Sequence, residues 1–334
     1  MTRGCFGSSF DRRPLLSVVI PVYCSEATLD SLYKRLTSVL SRHGLSYELV
    51  FVEDGSPDNA WRVLEELART DFQHVVAIRL MRNYGQHNAL MCGFRYTRGD
   101  IVLTMDDDLQ NPPEEIPKLV QYCVDGEYDL VYARYEEKRH HAGRNLGSWL
   151  VNTFFRFVFR SEVTVTSFRA MRRELLDAIL PYNLNFTFVD GLLAWNTQRV
   201  GHVLVEHHSR ENGHSGYSFA KLLSLALNLF TNFSLLPLQV ASATGFLAAL
   251  VGLGTGGYYL VQALFHNIAV PGYASTIVAV MVLGGLQLLA LGIIGEYIGR
   301  VHLNINRKPQ YTVREVRGAA VKTANRGVFS NDLM

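Results

Sequence analysis

The chain has 334 residues, 48% of them hydrophobic, enough for one large domain and an appendage, because single cores stop growing near ~250–300 residues. Lys and Arg number 32 against 30 Asp and Glu, giving a formal charge of +2 and a pI of about 8.3; no strong field draws nucleic acid, and a nucleic-acid partner is not expected. Cys5, Cys24, Cys92 and Cys123 stand apart without a CxxC pair, which argues against both a zinc knuckle and a disulfide framework.

Residues 1–14 form an N-terminal tail in which Asp11, Arg12 and Arg13 precede any long apolar run, so a cleaved signal peptide is not expected. Short apolar runs at 15–22, 48–52, 75–80, 101–105 and 130–133 read as strands, and helical patterns at 27–40, 59–69, 86–94 and 114–122 lie between them. This alternation predicts an α/β domain over 15–215 with a mostly parallel sheet. From 222 to 295 there is no Asp, Glu, Lys or Arg. Two apolar stretches, 237–265 and 275–297, each exceed the ~20 residues needed to cross a hydrocarbon core. The turn-rich segment 266–272 separates them, so a helical hairpin is predicted over 236–300. Residues 216–235 suit an amphipathic helix lying against the bilayer, or an ordinary packing helix. Arg300, Arg307, Lys308 and Arg314 follow the second span and the connecting loop has no Lys or Arg, which sets both termini and the α/β domain on the cytoplasmic side. Residues 301–334 are expected to be a cytoplasmic tail.

Ligands on parallel sheets bind at the carboxyl ends of strands. There the sequence has Pro21-Val22-Tyr23, then Glu53-Asp54-Gly55-Ser56, then Asp106-Asp107-Asp108-Leu109-Gln110. Consecutive carboxylates after an apolar strand repel one another unless a cation neutralises them. Alternate residues of an extended segment point the same way, so Asp106 and Asp108 form a candidate divalent site, with Gln110 adding a carbonyl oxygen and Asp107 left to solvent. Oxygen ligands suit Mg²⁺ or Mn²⁺ bound together with a diphosphate. The alternative is a helix N-terminus with acids placed for the dipole, since Pro112-Pro113-Glu114-Glu115 opens a helix. Asp54 could accept hydrogen bonds from a nucleotide base with Tyr23 stacked on it, or could simply end a strand.

These motifs carry a resemblance. Val18-Val-Ile-Pro-Val-Tyr23, Glu53-Asp-Gly-Ser56, Arg82-Asn-Tyr-Gly-Gln86 and above all Asp106-Asp-Asp-Leu-Gln-Asn-Pro-Pro-Glu-Glu-Ile-Pro117 resemble glycosyltransferase family 2 with its GT-A fold. With the hairpin ending Gly295-Glu-Tyr-Ile-Gly-Arg300, the layout is similar to the polyprenyl-phosphate glycosyltransferases, a group that includes dolichyl-phosphate mannose synthases and undecaprenyl-phosphate formamido-arabinose and glucose transferases. The resemblance implies a nucleotide-sugar site formed by Pro21, Tyr23, Ser25, Asp54, Asp106, Asp107 and Arg210. It also implies a metal on Asp106, Asp108 and Gln110, acceptor-phosphate contacts from Arg134 and Arg144, and catalytic roles for Asp106, Asp108 and Arg210. Relatives also suggest assembly of copies through their membrane helices. The chain departs from the pattern at several points. Ser25 stands where an acid is usual, Asp107 where a small residue is usual, and Thr166-Ser167-Phe168-Arg169 replaces a Gly-Asp-Phe-Arg stretch, removing a carboxylate often regarded as the base.

A phosphate monoester is already largely anionic near neutral pH, with a second pKa of about 6, so such an acceptor needs no general base. Ser167 is then tolerable. The expected reaction is an inverting transfer from a nucleotide diphosphate sugar, of the UDP type, to polyprenyl phosphate at a bacterial inner membrane. The alternatives are a membrane-anchored transferase with a hydroxyl acceptor and a binding-only scaffold. His87, His207 and His208 read as structural, and Asp190 as a helix start or an acceptor of sugar hydroxyls.

Overall fold

The computed structural model describes residues 14–126, 128–135, 165–183, 187–205, 236–265, 273–306 and 309–318. They divide into two compact units, Met1–Ser215 with Pro309–Met334, and Gly216–Lys308.

The first unit is built on one eight-stranded sheet. Its strands are β1 (Leu15–Val22), β2 (Ser46–Glu53), β3 (Val75–Leu80), β4 (Ile101–Thr104), β5 (Leu130–Tyr135), β6 (Arg169–Arg172), β7 (Val200–Val205) and β8 (Val313–Gly318). Their order across the sheet is β7-β5-β6-β4-β1-β2-β3-β8. β1 to β5 and β7 run in one direction, whereas β6 and β8 run against them. The expected mostly parallel α/β fold is therefore present, and each sequence-predicted strand coincides with an observed one, with ends shifted by a few residues.

Alternation along β1 explains the layers. Leu16, Val18, Ile20 and Val22 face a core shared with α1 (Glu26–Arg42), α2 (Ala60–Thr70) and α4 (Ile116–Asp125). Val19 faces the opposite core with α3 (Gln86–Arg95), α5 (Arg173–Ile179) and α6 (Val189–Asn196). In α1 the buried Leu29, Leu32, Leu36 and Leu40 recur at helical spacing, each worth about 1.5–3 kcal/mol when removed from water. Both faces are thus covered, as parallel sheets require.

The expected tail at 301–334 needs correction over part of its length. Val313–Gly318 is a strand that pairs antiparallel with β3, Ile78 opposite Val316. Just before it, Gln310 is buried and its Nε2 donates to Thr187 Oγ1 at 3.1 Å, and the Tyr311 ring lies 5.9 Å from the Arg95 guanidinium. Residues 319–334 and the amphipathic segment 216–235 lie outside the described residues.

In the second unit, α7 (Leu236–Phe265) and α8 (Tyr273–Ile305) are two long helices in contact with each other. At 30 and 33 residues they measure about 45 and 50 Å. Val282–Gly299 in α8 has a mean hydropathy of 1.6 and is long and apolar enough to cross a membrane. In α7 the apolar stretch among the described residues is Leu238–Gly252, and the whole helix carries no Asp, Glu, Lys or Arg. Phe246, Phe265 and Leu288 are exposed on this unit.

Candidate active site

β1 sits between β2 on one side and β4 on the other, so the chain leaves its carboxyl end at the point where strand order reverses. Ladder pairing between β1 and β4 ends at Val19 and Thr104. Pro21, which has no N–H, lies beyond that end and interrupts nothing on that side. The strands part there, and Tyr23 and the acidic run 106–108 leave from the two lips. Such a switch point is where open α/β sheets bind ligands.

Both exits are bent. Among the described residues, Cys24 and Leu109 are the non-glycine residues with positive φ, 57° and 62°, a conformation that costs of order 1 kcal/mol or more and persists only where its surroundings enforce it. Leu109 packs against the main core and turns the chain between Asp108 and Gln110, whose N–H donates to Asp108 Oδ1 at 3.2 Å.

The three carboxylates have different partners. Asp106 Oδ1 accepts from Gln86 Nε2 at 2.7 Å and its Oδ2 from Ser167 Oγ at 2.5 Å. Asp107 Oδ2 accepts from the Tyr23 N–H at 3.1 Å and from Ser25 Oγ at 2.5 Å. The expectation that Asp107 is left to solvent is thus corrected: it is half-buried and turned towards the β1 lip, because the left-handed turn at Cys24 brings the Tyr23 N–H and Ser25 hydroxyl to it. Burial raises the pKa of Asp106, an effect the Ser167 hydrogen bond opposes and the neighbouring Asp108 charge reinforces. Burial also pushes Asp107 up to about 6, against the bonds from Ser25 and Tyr23.

These features fit a cation. Carboxylates held partly out of water beside one another favour a positive ion between them, and Arg169, the buried cation nearby, is committed to Asp190. Among the described residues no three His, Cys, Asp or Glu side chains converge into a metal cage. A donor set of one or two carboxylates and an amide suits a small divalent ion that takes its remaining ligands from a substrate diphosphate and water.

Asp54 is 3% exposed and both its oxygens are engaged, Oδ1 by the Tyr84 N–H and Oδ2 by the Gly85 N–H, each at 2.7 Å. It holds the turn between β3 and α3. Burial raises its pKa and these two bonds oppose the rise. Gly55, at φ +63°, is forced by close approach: a Cβ there would lie 2.4 Å from the Arg82 carbonyl carbon. Tyr23 remains 49% exposed beside the acidic run. Arg134 is exposed near the carboxyl end of β5, the same end of the sheet from which Asp106 follows β4, whereas Arg144 and Arg210 lie outside the described residues, as do His207 and His208.

Two neighbours of Asp106, Gln86 and Ser167, stand in the Arg82–Gln86 and Thr166–Arg169 stretches, whose residue types alone do not announce a contact with Asp106. Gln86 opens α3 directly after a glycine with φ +90°, and a polar residue at that place was the available signal. Ser167 donates into the site from the start of β6. Asp190 stands in the first turn of α6, as a helix start, and is not an open acceptor: it forms a buried pair with Arg169 and accepts from Tyr132 Oη at 3.0 Å. His87 is part of the fold, edge-on to Phe188 at 5.0 Å, with its pKa lowered to about 4 by burial and then by Arg169.

Residues 17–180 match the model of "Glycosyl transferase family 2", and residues 236–301 that of the "GtrB C-terminal hairpin". An undecaprenyl-phosphate 4-deoxy-4-formamido-L-arabinose transferase of Proteus mirabilis is 37% identical over 96% of this chain and 98% of its own length. The chain belongs to glycosyltransferase family 2. Another transferase of the same name, from Pseudomonas fluorescens, is also 37% identical, over 90% of this chain and 89% of its own. Among solved structures, glucosyl-3-phosphoglycerate synthase of Mycobacterium tuberculosis in complex with uridine diphosphate superposes with a TM-score of 0.50 at 21% identity. It covers 69% of this chain and 84% of that one, a likeness in fold alone. The chain is accordingly a glycosyltransferase with the GT-A fold.

Proposed function

We propose that this glycosyltransferase moves a sugar from a nucleotide diphosphate sugar, of the UDP type, to a polyprenyl phosphate, with inversion at the anomeric carbon. The reading is carried by the identity with the Proteus mirabilis transferase, which extends over 98% of that protein's length and whose name gives undecaprenyl phosphate as its acceptor. The acidic strand end at the switch point supports it. Asp106 and Asp108, with Gln110, would hold Mg²⁺ or Mn²⁺, which would offset negative charge on the leaving diphosphate. Tyr23 offers an exposed ring to the base, beside Pro21 and the Asp54 turn. Arg134 offers a planar fork to an anion, and Arg144 and Arg210 are proposed to join it at the acceptor phosphate and the diphosphate.

The acceptor phosphate brings its own nucleophilic oxygen, which accords with a hydroxyl rather than a carboxylate at position 167. The bond from the anomeric carbon to the leaving diphosphate breaks as the bond to the acceptor oxygen forms. We further propose that α7 and α8 both cross a bacterial inner membrane, with the catalytic unit and both termini in the cytoplasm.

The test incubates the detergent-purified full chain with undecaprenyl phosphate, Mn²⁺ and a panel of UDP- and GDP-sugars, measuring nucleotide release and lipid product. Lipid-linked product from one donor is expected. Nucleotide release without lipid product would replace the acceptor, and binding without turnover would overturn the transfer altogether.

A further inference from the structure

The two lips of the site are joined by a single contact set. Asp107 Oδ2 takes both the Tyr23 N–H and the Ser25 hydroxyl, and the Thr28 hydroxyl reaches back to the Asp107 carbonyl at 2.8 Å. Ser25 stands at the N-cap of α1 but makes no side-chain bond to its own helix. The hydroxyl oxygen of a serine there ordinarily accepts from the N–H of the second or third helical residue; here the Thr28 N–H goes to the Ser25 carbonyl at 3.0 Å, the Glu26 N–H to Asp58 Oδ2 at 3.0 Å, and the Ser25 hydroxyl is directed to Asp107. The loop between them holds Cys24 at φ 57° and carries the exposed Tyr23.

We propose that Asp107 is a positioning residue for the donor: it clasps the loop 22–28 across the switch point and so fixes the Tyr23 ring where the nucleotide lies, without itself binding the metal. The hydroxyl at 25 and the carboxylate at 107, two departures from the family pattern, are then one feature, since the two side chains touch. The clasp needs one carboxylate and one partner across the gap, and which lip supplies the acid is interchangeable. This rests on the donor reading, and its test has an arm that does not.

Amide hydrogen exchange in the full-length protein, with no ligand added, measures the clasp directly. Asp107→Ala should speed exchange across 22–28 by about tenfold, the worth of a hydrogen bond to a charged group, while amides of β2 keep the parent's protection. Ser25→Ala, which removes one bond on the loop alone, should produce a smaller rise. Ser25→Glu should also open the loop in the parent, where two carboxylates meet, yet close it on an Asp107→Ser background, where a hydroxyl at 107 donates to the new acid. That reversal of sign is not expected of residues that merely fill space.

Calorimetry with UDP and GDP, each with Mn²⁺, then reads the consequence. Asp107→Ala should weaken nucleotide binding about tenfold with Mn²⁺ affinity unchanged, and Ser25→Glu/Asp107→Ser, which exchanges acid and hydroxyl between the lips, should recover most of the loss. Unchanged exchange at 22–28, additive losses in the double variant, or a fall in Mn²⁺ affinity with Asp107→Ala would each overturn the clasp. A parent that binds neither nucleotide would remove the donor reading, and the exchange experiment would still decide whether Asp107 holds the loop.

Discussion

Leu109, in a left-handed conformation, follows two acids with different partners: Asp107 accepts from the Tyr23 N–H across the cleft, and Asp108 from the Gln110 N–H in its own turn. Replacing Asp108 by Asn should lower sugar transfer on the order of a hundredfold, the scale of losing one electrostatic contact to a developing charge, as measured by nucleotide release at saturating Mn²⁺. Asp54→Ala acts differently, because it leaves the Tyr84 N–H without its acceptor and the Gly85 N–H with Asn83 Oδ1 alone. It should cost about 3 kcal/mol of stability, read from urea unfolding. For His87 the native pKa lies near 4 against an ordinary value of 6.5. Between those values the unfolded chain binds more protons than the native one, so the stability that a neutral His87 provides is complete above pH 6.5 and is lost as pH falls towards 4. His87→Asn should flatten the difference in stability between pH 7 and pH 5 relative to the parent. Much of this site was legible in the residues, since charged runs straight after apolar strands have few structural uses. The direction of each carboxylate was not legible, because it depends on φ at Cys24 and Leu109, which the residue types do not announce.

At the level of elements, the strands that were legible are the buried ones, such as Val75–Leu80, where hydrophobic runs are continuous. β6 is Arg-Ala-Met-Arg, too short and too charged to signal, and it forms because β4 and β5 flank it on both sides. β8 reads Val-Arg-Glu-Val-Arg-Gly, an edge strand with one face wet, and its place beside β3 depends on a pairing partner more than two hundred residues away in the chain. Val313 and Val316 pack against the second core. Val316→Asp should therefore destabilise the catalytic unit by about 2 kcal/mol through lost burial and an acid placed at an apolar contact, seen as a lower unfolding midpoint with little change in nucleotide affinity.

Across the whole molecule, the catalytic unit is discontinuous in sequence, made of Met1–Ser215 and Pro309–Met334. A protein cut after residue 215 loses β8 and leaves the β3 edge bare, whereas one in which a flexible linker replaces 216–308 keeps it. The linker form should have the higher melting temperature and the lower tendency to aggregate, since open edges pair with other chains. If both long helices cross the bilayer, a single cysteine placed in 266–272 should react with an impermeant thiol reagent applied from outside the inner membrane, and one placed in 1–14 should not. The return of the chain to β3 also sets an order of events at the ribosome. Residues 313–318 are made after the hairpin, so the sheet that holds the active site is sealed along that edge only once both long helices have been synthesised. Maturation of the catalytic unit is thereby timed by completion of its anchor, and a nascent chain stalled within α8 would carry strands β1 to β7 but an open flank at β3.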